Sequence, residues 1–204
     1  MSKVIDYYLT LISPWAYLGS QRFAEIARRH GAEVRVKPVN FGEIFPRTGG
    51  LPLAKRAPER QAYRLVELKR WSAHLGIPIH LQPAHFPAAE QTAARLVIAA
   101  GDAGGDALAL AQAFGRAVWE EERDIADPAT CEAIARATGL DAAALTAAAA
   151  DPAVAARHAA LTEEAVARGV FGAPSYVYRD EIFWGQDRLD FLERVLAADQ
   201  SRAG

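Results

Sequence analysis

Strand-forming sequence is confined to the two ends of this 204-residue chain, and that distribution limits the folds open to it. Residues 3–12, KVIDYYLTLI, are β-branched, aromatic and mostly apolar, as in a buried strand. Ser13-Pro14 stops the run, and Pro14 suits the first position of a helix, where its missing N–H costs nothing. Trp15, Leu18, Phe23, Ile26 and Ala27 then recur at roughly helical spacing as far as Gly31, and residues 33–39, EVRVKPV, alternate as a half-buried strand. At the far end, SYVY (175–178) and EIFW (181–184) read as two short strands joined by a turn at Arg179-Asp180. A helix is expected from about Gln186 to Ala198, with a loose tail at 199–204.

The middle of the chain has a different character. Residues 42–57 carry Gly, Pro and basic side chains and read as a loop. Leu65, Leu68, Trp71 and Leu75 line one face of a helix over 58–75, which Gly76 ends. Residues 77–87 hold three prolines and cannot form a long regular element. From 88 to 168 the sequence is rich in alanine, and its punctuation divides it into about five helices. Gly104-Gly105, Gly139 and Gly169 read as stops, Asp127-Pro128 and Asp151-Pro152 as N-cap and first helical residue, and Asp141 as a further cap. Neither β-containing piece is large enough to stand alone. Joined, they predict a mixed four-stranded sheet covered by helices, the thioredoxin-like α/β fold. Residues 1–41 and 169–204 would form that domain, with 42–168 inserted as an all-helical domain.

Composition narrows the function. With 51% hydrophobic and 24% charged residues the chain is globular, not disordered. Twenty-three basic against 25 acidic residues leave a net charge of −2, which argues against a nucleic-acid partner. No run of about 18 apolar residues exists to span a membrane. Asp6 interrupts the first apolar stretch and no secretion signal follows it, so a cytoplasmic protein is expected. The single cysteine, Cys131, fits a reducing compartment, and the five histidines show no ligand spacing, so no metal is expected.

In a thioredoxin arrangement the active position is the turn from the first strand into the first helix. Here it reads Ser13-Pro14-Trp15-Ala16, with Ser and Ala where a redox protein carries Cys-x-x-Cys. A hydroxyl cannot attack a disulfide. At a helix N-terminus it can instead stabilise a thiolate brought by a ligand, although taken alone Ser13 reads first as a helix cap. Pro174 precedes the third strand, where the fold calls for a cis-proline that leaves the Ala173 backbone free to pair with an extended ligand. Gln186 and Asp187 open the last helix; Asp187 reads as a cap-region acid that is also able to receive an ammonium group.

Four stretches together carry a family likeness: SPWAYLG at 13–19, Tyr63 to Trp71 with GIP at 76–78, WEEERDIADP at 119–128, and VFGAPSYVYRDEIFWGQDRLDFLERVL at 170–196. The chain resembles 2-hydroxychromene-2-carboxylate isomerases and the kappa-class glutathione transferases of the DsbA-like superfamily, over nearly its whole length. The resemblance implies glutathione as cofactor. Ser13 would be the catalytic residue, bonding the glutathione sulfur beside Pro14. Ala173 would pair with the cysteinyl part ahead of cis-Pro174, with Gln186 and Asp187 at the γ-glutamyl end. Arg60 would lie near the glycine carboxylate, where the family often has lysine. Two family asparagines are missing, at Gly50 and at Ala88-Ala89.

The implied activity is isomerisation of a small aromatic-pyruvate type substrate: a thiolate adds to a conjugated double bond, the bond rotates, and the thiolate leaves. The alternatives are a kappa-like transferase, in which the adduct is the product, and a non-catalytic glutathione binder. Trp15, Tyr17 and His85 are candidates to touch substrate, although core packing and a solvated loop explain them as well. Relatives are usually homodimers.

Overall fold

In the computed structural model, which describes residues 3–201, the two ends of the chain meet in one sheet. Strand β1 (Val4–Leu9) runs parallel to β2 (Glu33–Pro38), while β3 (Ser175–Tyr178) and β4 (Glu181–Trp184) follow antiparallel, in the order β2-β1-β3-β4. This is the expected thioredoxin-like sheet. Helix α1 (Pro14–Arg29) supplies the crossover between the parallel strands, and α9 (Leu189–Ser201) follows β4. Between them lie α2 (Phe41–Thr48), α3 (Pro58–Leu75), α4 (Gln91–Asp102), α5 (Ala107–Trp119), α6 (Pro128–Ala137), α7 (Ala142–Ala149) and α8 (Pro152–Ala167).

The period-two pattern of β1 divides its side chains between two cores. Ile5, Tyr7 and Leu9 pack with Phe23 of α1, Phe114 of α5 and Leu192 of α9. Tyr8 faces the other way, among Ile44 of α2, Leu161 and Ala165 of α8, and Val177 of β3. Each such apolar side chain contributes roughly 1.5–3 kcal/mol when fully buried. Tyr7 and Tyr176 stack with centroids 5.1 Å apart and planes 5° from parallel, and Phe23 leans on both. Helices of the central block thus share their apolar surface directly with the sheet.

The aspartate–proline punctuation acts as the sequence indicates. Asp127 and Asp151 cap α6 and α8 with a proline in the first turn, and Asp141 caps α7 through the Ala144 N–H at 3.0 Å. The five helices expected between 88 and 168 are α4 to α8.

Three boundaries differ from expectation. The 42–57 stretch is not all loop: α2 occupies its first half and a 3-10 turn spans Leu53–Lys55. Asn40 caps α2 by accepting from Gly42 N–H at 2.9 Å, and Gly49 ends it at φ 78°. Burial of Phe41 and Ile44 holds the helix against α8 despite Pro46. The first strand ends at Leu9, because residues 10–12 bend to meet a carboxylate from the central block. Finally, residues 186–188 form a 3-10 turn before α9, and 199–201 continue that helix rather than forming a tail; 202–204 lie outside the described residues.

Candidate active site

The site is assembled at the C-terminal end of β1. Ser175 pairs with Tyr8, which brings Pro174 beside the point where β1 leaves for the turn. Ser175 also pairs with Trp184, and Gly185 N–H donates to the Pro174 carbonyl at 2.8 Å. Register therefore brings Ala173-Pro174 and Gln186-Asp187 to the end of β1, where the chain bends towards Ser13. The Ala173–Pro174 peptide is cis.

Ser13 is buried and caps α1: its Oγ accepts from Ala16 N–H at 3.2 Å. That bond uses a lone pair and leaves the hydroxyl hydrogen free to donate. The Trp15 N–H has no acceptor among the described residues, and Pro14 has no N–H. Two donors thus remain at the positive end of a 16-residue helix. Ahead of the cis-proline, neither the N–H nor the carbonyl of the half-exposed Ala173 is used among the described residues. A hydroxyl and an amide for an anionic sulfur, with a free backbone pair for an extended chain, suit a thiol-bearing peptide.

Gln186 and Asp187 diverge. The Gln186 side chain is buried, with Arg22 of α1 donating to its backbone carbonyl and, at 3.4 Å, to its Oε1. Asp187 is exposed and ion-paired with Arg188. Gly19, the last residue of SPWAYLG, explains how this corner fits α1: a Cβ there would sit 2.6 Å from the Gln186 Cβ and 3.2 Å from the Tyr176 hydroxyl. Gly19→Ala is expected to lower stability by about 1 kcal/mol, measured by urea unfolding. Alanine's helix preference is worth at most about 1 kcal/mol, against roughly 1–3 kcal/mol for overpacking. A more stable variant would show that the corner yields freely.

A DSBA-like thioredoxin domain model matches residues 4–197. The chain belongs to the DsbA-like thioredoxin family. It is 33% identical over 197 residues to a 2-hydroxychromene-2-carboxylate isomerase of Sphingobium xenophagum, covering 96% of this chain and 99% of that one. The solved structure of a 2-hydroxychromene-2-carboxylate isomerase superposes with a TM-score of 0.83 at 26% identity, over 98% of this chain and 97% of the other. A cytosolic disulfide reductase, DsbM of Pseudomonas aeruginosa, solved with GSH, shares the fold at TM-score 0.68 and 20% identity, over 95% and 99%.

Around the DsbA-like turn, the other candidates take varied positions. Trp15 is half-buried against the core. Tyr17 is buried, and its hydroxyl donates to the Pro78 carbonyl at 2.8 Å with Glu120 Oε2 at 3.1 Å. Burial, reinforced by the Glu120 charge, pushes the phenol pKa up, so Tyr17 stays a neutral donor that pins the 77–87 loop. His85 is exposed on that loop, 3.9 Å from Asp124. Arg60 is exposed in the first turn of α3, with no carboxylate partner among the described residues. At Gly50 a Cβ would meet the Phe45 ring 2.9 Å from its Cγ, so an asparagine there would displace Phe45.

Cys131 plays no part in this chemistry. It is buried, bonded to the Ile125 carbonyl, and burial pushes its thiol up to about 11, which leaves almost no thiolate at neutral pH. A groove of about 480 Å3 along β2, lined by Glu33, Arg35, Gly101 and Arg157, shares no residue with the turn.

Sequence reasoning missed Glu90. Its carboxylate accepts from the Thr10 hydroxyl, from Leu11 N–H at 2.6 Å and from Ile12 N–H, immediately before Ser13. The only local sign is an acid at the start of the alanine-rich helix α4, where it passes for a dipole-complementing residue. A second cis bond, Phe86–Pro87, lies just before it.

Proposed function

We propose that this protein is a glutathione-dependent isomerase of the 2-hydroxychromene-2-carboxylate isomerase type, working in the reducing cytoplasm on an aromatic-pyruvate type substrate. The observation that carries this reading is Ser13. It occupies the redox position of the family at the head of α1, its hydroxyl hydrogen is uncommitted, and the backbone of Ala173 ahead of the cis-proline is unused among the described residues. The names of the relatives point to the same reaction class.

Bound glutathione would supply a thiolate able to add reversibly to a conjugated double bond, so that rotation about the resulting single bond gives the other isomer. The chain's part is to hold that thiolate and its carrier. Ser13 O–H and Trp15 N–H stabilise negative charge on sulfur, with the α1 dipole behind them. Ala173 pairs with the peptide backbone, and the exposed Asp187 receives the ammonium group. Arg60 lies nearest in type to the family's lysine for the glycine carboxylate. Gln186 serves through its backbone N–H, since Arg22 donates to its carbonyl and its side chain is turned inward.

The deciding experiment follows 2-hydroxychromene-2-carboxylate by ultraviolet absorbance with and without glutathione, and measures glutathione at the end. An isomerase needs glutathione and returns all of it. Consumption in step with turnover would make the protein a transferase, and binding without turnover would make it a thiol-ligand carrier.

A further inference from the structure

Arg64 of α3 is half-buried, and its guanidinium has no hydrogen-bond or ion-pair partner among the described residues. It rests on two rings: its central carbon is 5.4 Å from the Phe86 centroid and 5.6 Å from that of Trp119. The rings themselves lie 4.9 Å apart, tilted by 50°. Arg56, whose Nε donates to the Leu51 carbonyl, and Arg60, one turn earlier on α3, add like charge. Burial and the Arg56 charge push the Arg64 pKa down to about 10, so it remains a cation at neutral pH. The fully buried Trp119 Nε1–H also lacks an acceptor among the described residues. Aromatic faces satisfy the plane of a guanidinium but leave its edge N–H groups unused, and a partly desolvated cation without a counter-anion is costly.

The location matters as much as the charge. Phe86 lies four positions before Glu90, a span of at most about 14 Å, and Glu90 holds Thr10 and Leu11 just before Ser13. The other end of the same loop is tied to Tyr17 through the Pro78 carbonyl. Helix α3 packs on α1, so Arg64 lies on the side of α1 walled by the 77–87 loop.

We infer that Arg64, seated on Phe86 and Trp119, recognises the carboxylate of an aromatic acid substrate, gripping it through two parallel N–H bonds while Phe86 offers a ring face to the substrate. This rests on the isomerase reading and extends it to substrate selection. Arg fits the task because its planar fork matches a carboxylate and stacks on rings at the same time.

The test needs no turnover. The probes are 2-hydroxycinnamate and its carboxamide, titrated calorimetrically into wild type, Arg64→Gln and Arg64→Lys with glutathione saturating. Wild type should prefer the acid. Arg64→Gln should weaken the acid roughly 10- to 100-fold, the loss of a charge-assisted pair, and leave the amide and glutathione affinities unchanged. Arg64→Lys keeps the charged stem and decides the matter if the glutamine variant does not fold: it should weaken the acid severalfold and spare the amide. Equal loss for acid and amide would overturn the inference. So would a loss confined to glutathione, which would give Arg64 to the tripeptide's carboxylate. A wild type that binds the acid but isomerises nothing would remove the isomerase reading alone. An active wild type whose acid affinity survives both substitutions would remove this inference alone.

Discussion

Ser13→Ala is expected to slow turnover by on the order of 10²-fold while glutathione stays bound. An ordinary thiol with a pKa near 8.5 is only a few per cent ionised at pH 7. Lowering that value by about 2 units requires roughly 2.7 kcal/mol of preference for the anion. A charge-assisted hydrogen bond contributes about 1.5–3 kcal/mol and a helix N-terminus about 0.3–2 kcal/mol. Ser13 is placed to give the first of these, because its capping bond to Ala16 leaves the hydroxyl hydrogen free. Removing one such donor costs about 2–4 kcal/mol.

The same substitution also removes a cap, at about 1 kcal/mol of stability. Ser13→Asp separates the two roles: a carboxylate still accepts from Ala16 N–H but donates nothing and repels a thiolate. It should keep stability and lose activity. Ser13→Cys should not restore the rate, since a thiol is a weak donor, and with oxidised glutathione present it would exchange into a mixed disulfide and release reduced glutathione. The measurement is thiolate absorbance of the glutathione complex against pH. If wild type and Ser13→Ala share one thiol pKa and one rate, Ser13 is a cap and nothing more.

Glu90→Ala should cost roughly 3–5 kcal/mol in urea unfolding. Its carboxylate takes three donors from residues 10–12, and each buried donor left without a partner costs about 1–3 kcal/mol. Glu90→Gln keeps an acceptor oxygen and should lose less than half as much. The two side chains also differ in pH dependence. Burial holds the Glu90 carboxyl above its usual 4.5, although the three donors pull the other way. The folded state then binds this proton more tightly than the unfolded chain does. The group's contribution is therefore complete below about 4.5 and declines as pH rises through the raised value. The stability difference between wild type and Glu90→Gln should shrink as pH rises from 4.5 towards neutrality. A difference that stays flat, or grows, would mean that the donors outweigh burial.

Much of the architecture was legible because it is written in short-range signals. The βαβ and ββα ends follow from period-two and helical spacing, and Asp127-Pro128 and Asp151-Pro152 mark helix starts by local hydrogen bonding alone. The absence of cysteine from the active turn was equally plain. Misreadings occurred where a local signal was weak. Gly42 and Pro46 make 42–57 look like a loop, whereas burial of Phe41 and Ile44 against α8 sustains a helix over Phe41–Thr48.

The sequence by itself determined the topology of the fold, the kind of turn at Ser13 and the chemistry that turn excludes. These depend on side-chain periodicity, capping and the identity of one atom, oxygen for sulfur. Only the tertiary structure decided which groups surround that turn. Glu90 is 79 residues from Leu11, and Gln186 is 164 from Arg22, yet each pair shares a hydrogen bond. Likewise Arg64 meets Trp119 only because α3 and α5 are brought together in space. A polar side chain gives no sign in sequence of whether it will meet water, a counter-charge or nothing, because its energy is set by neighbours that only the packed core supplies.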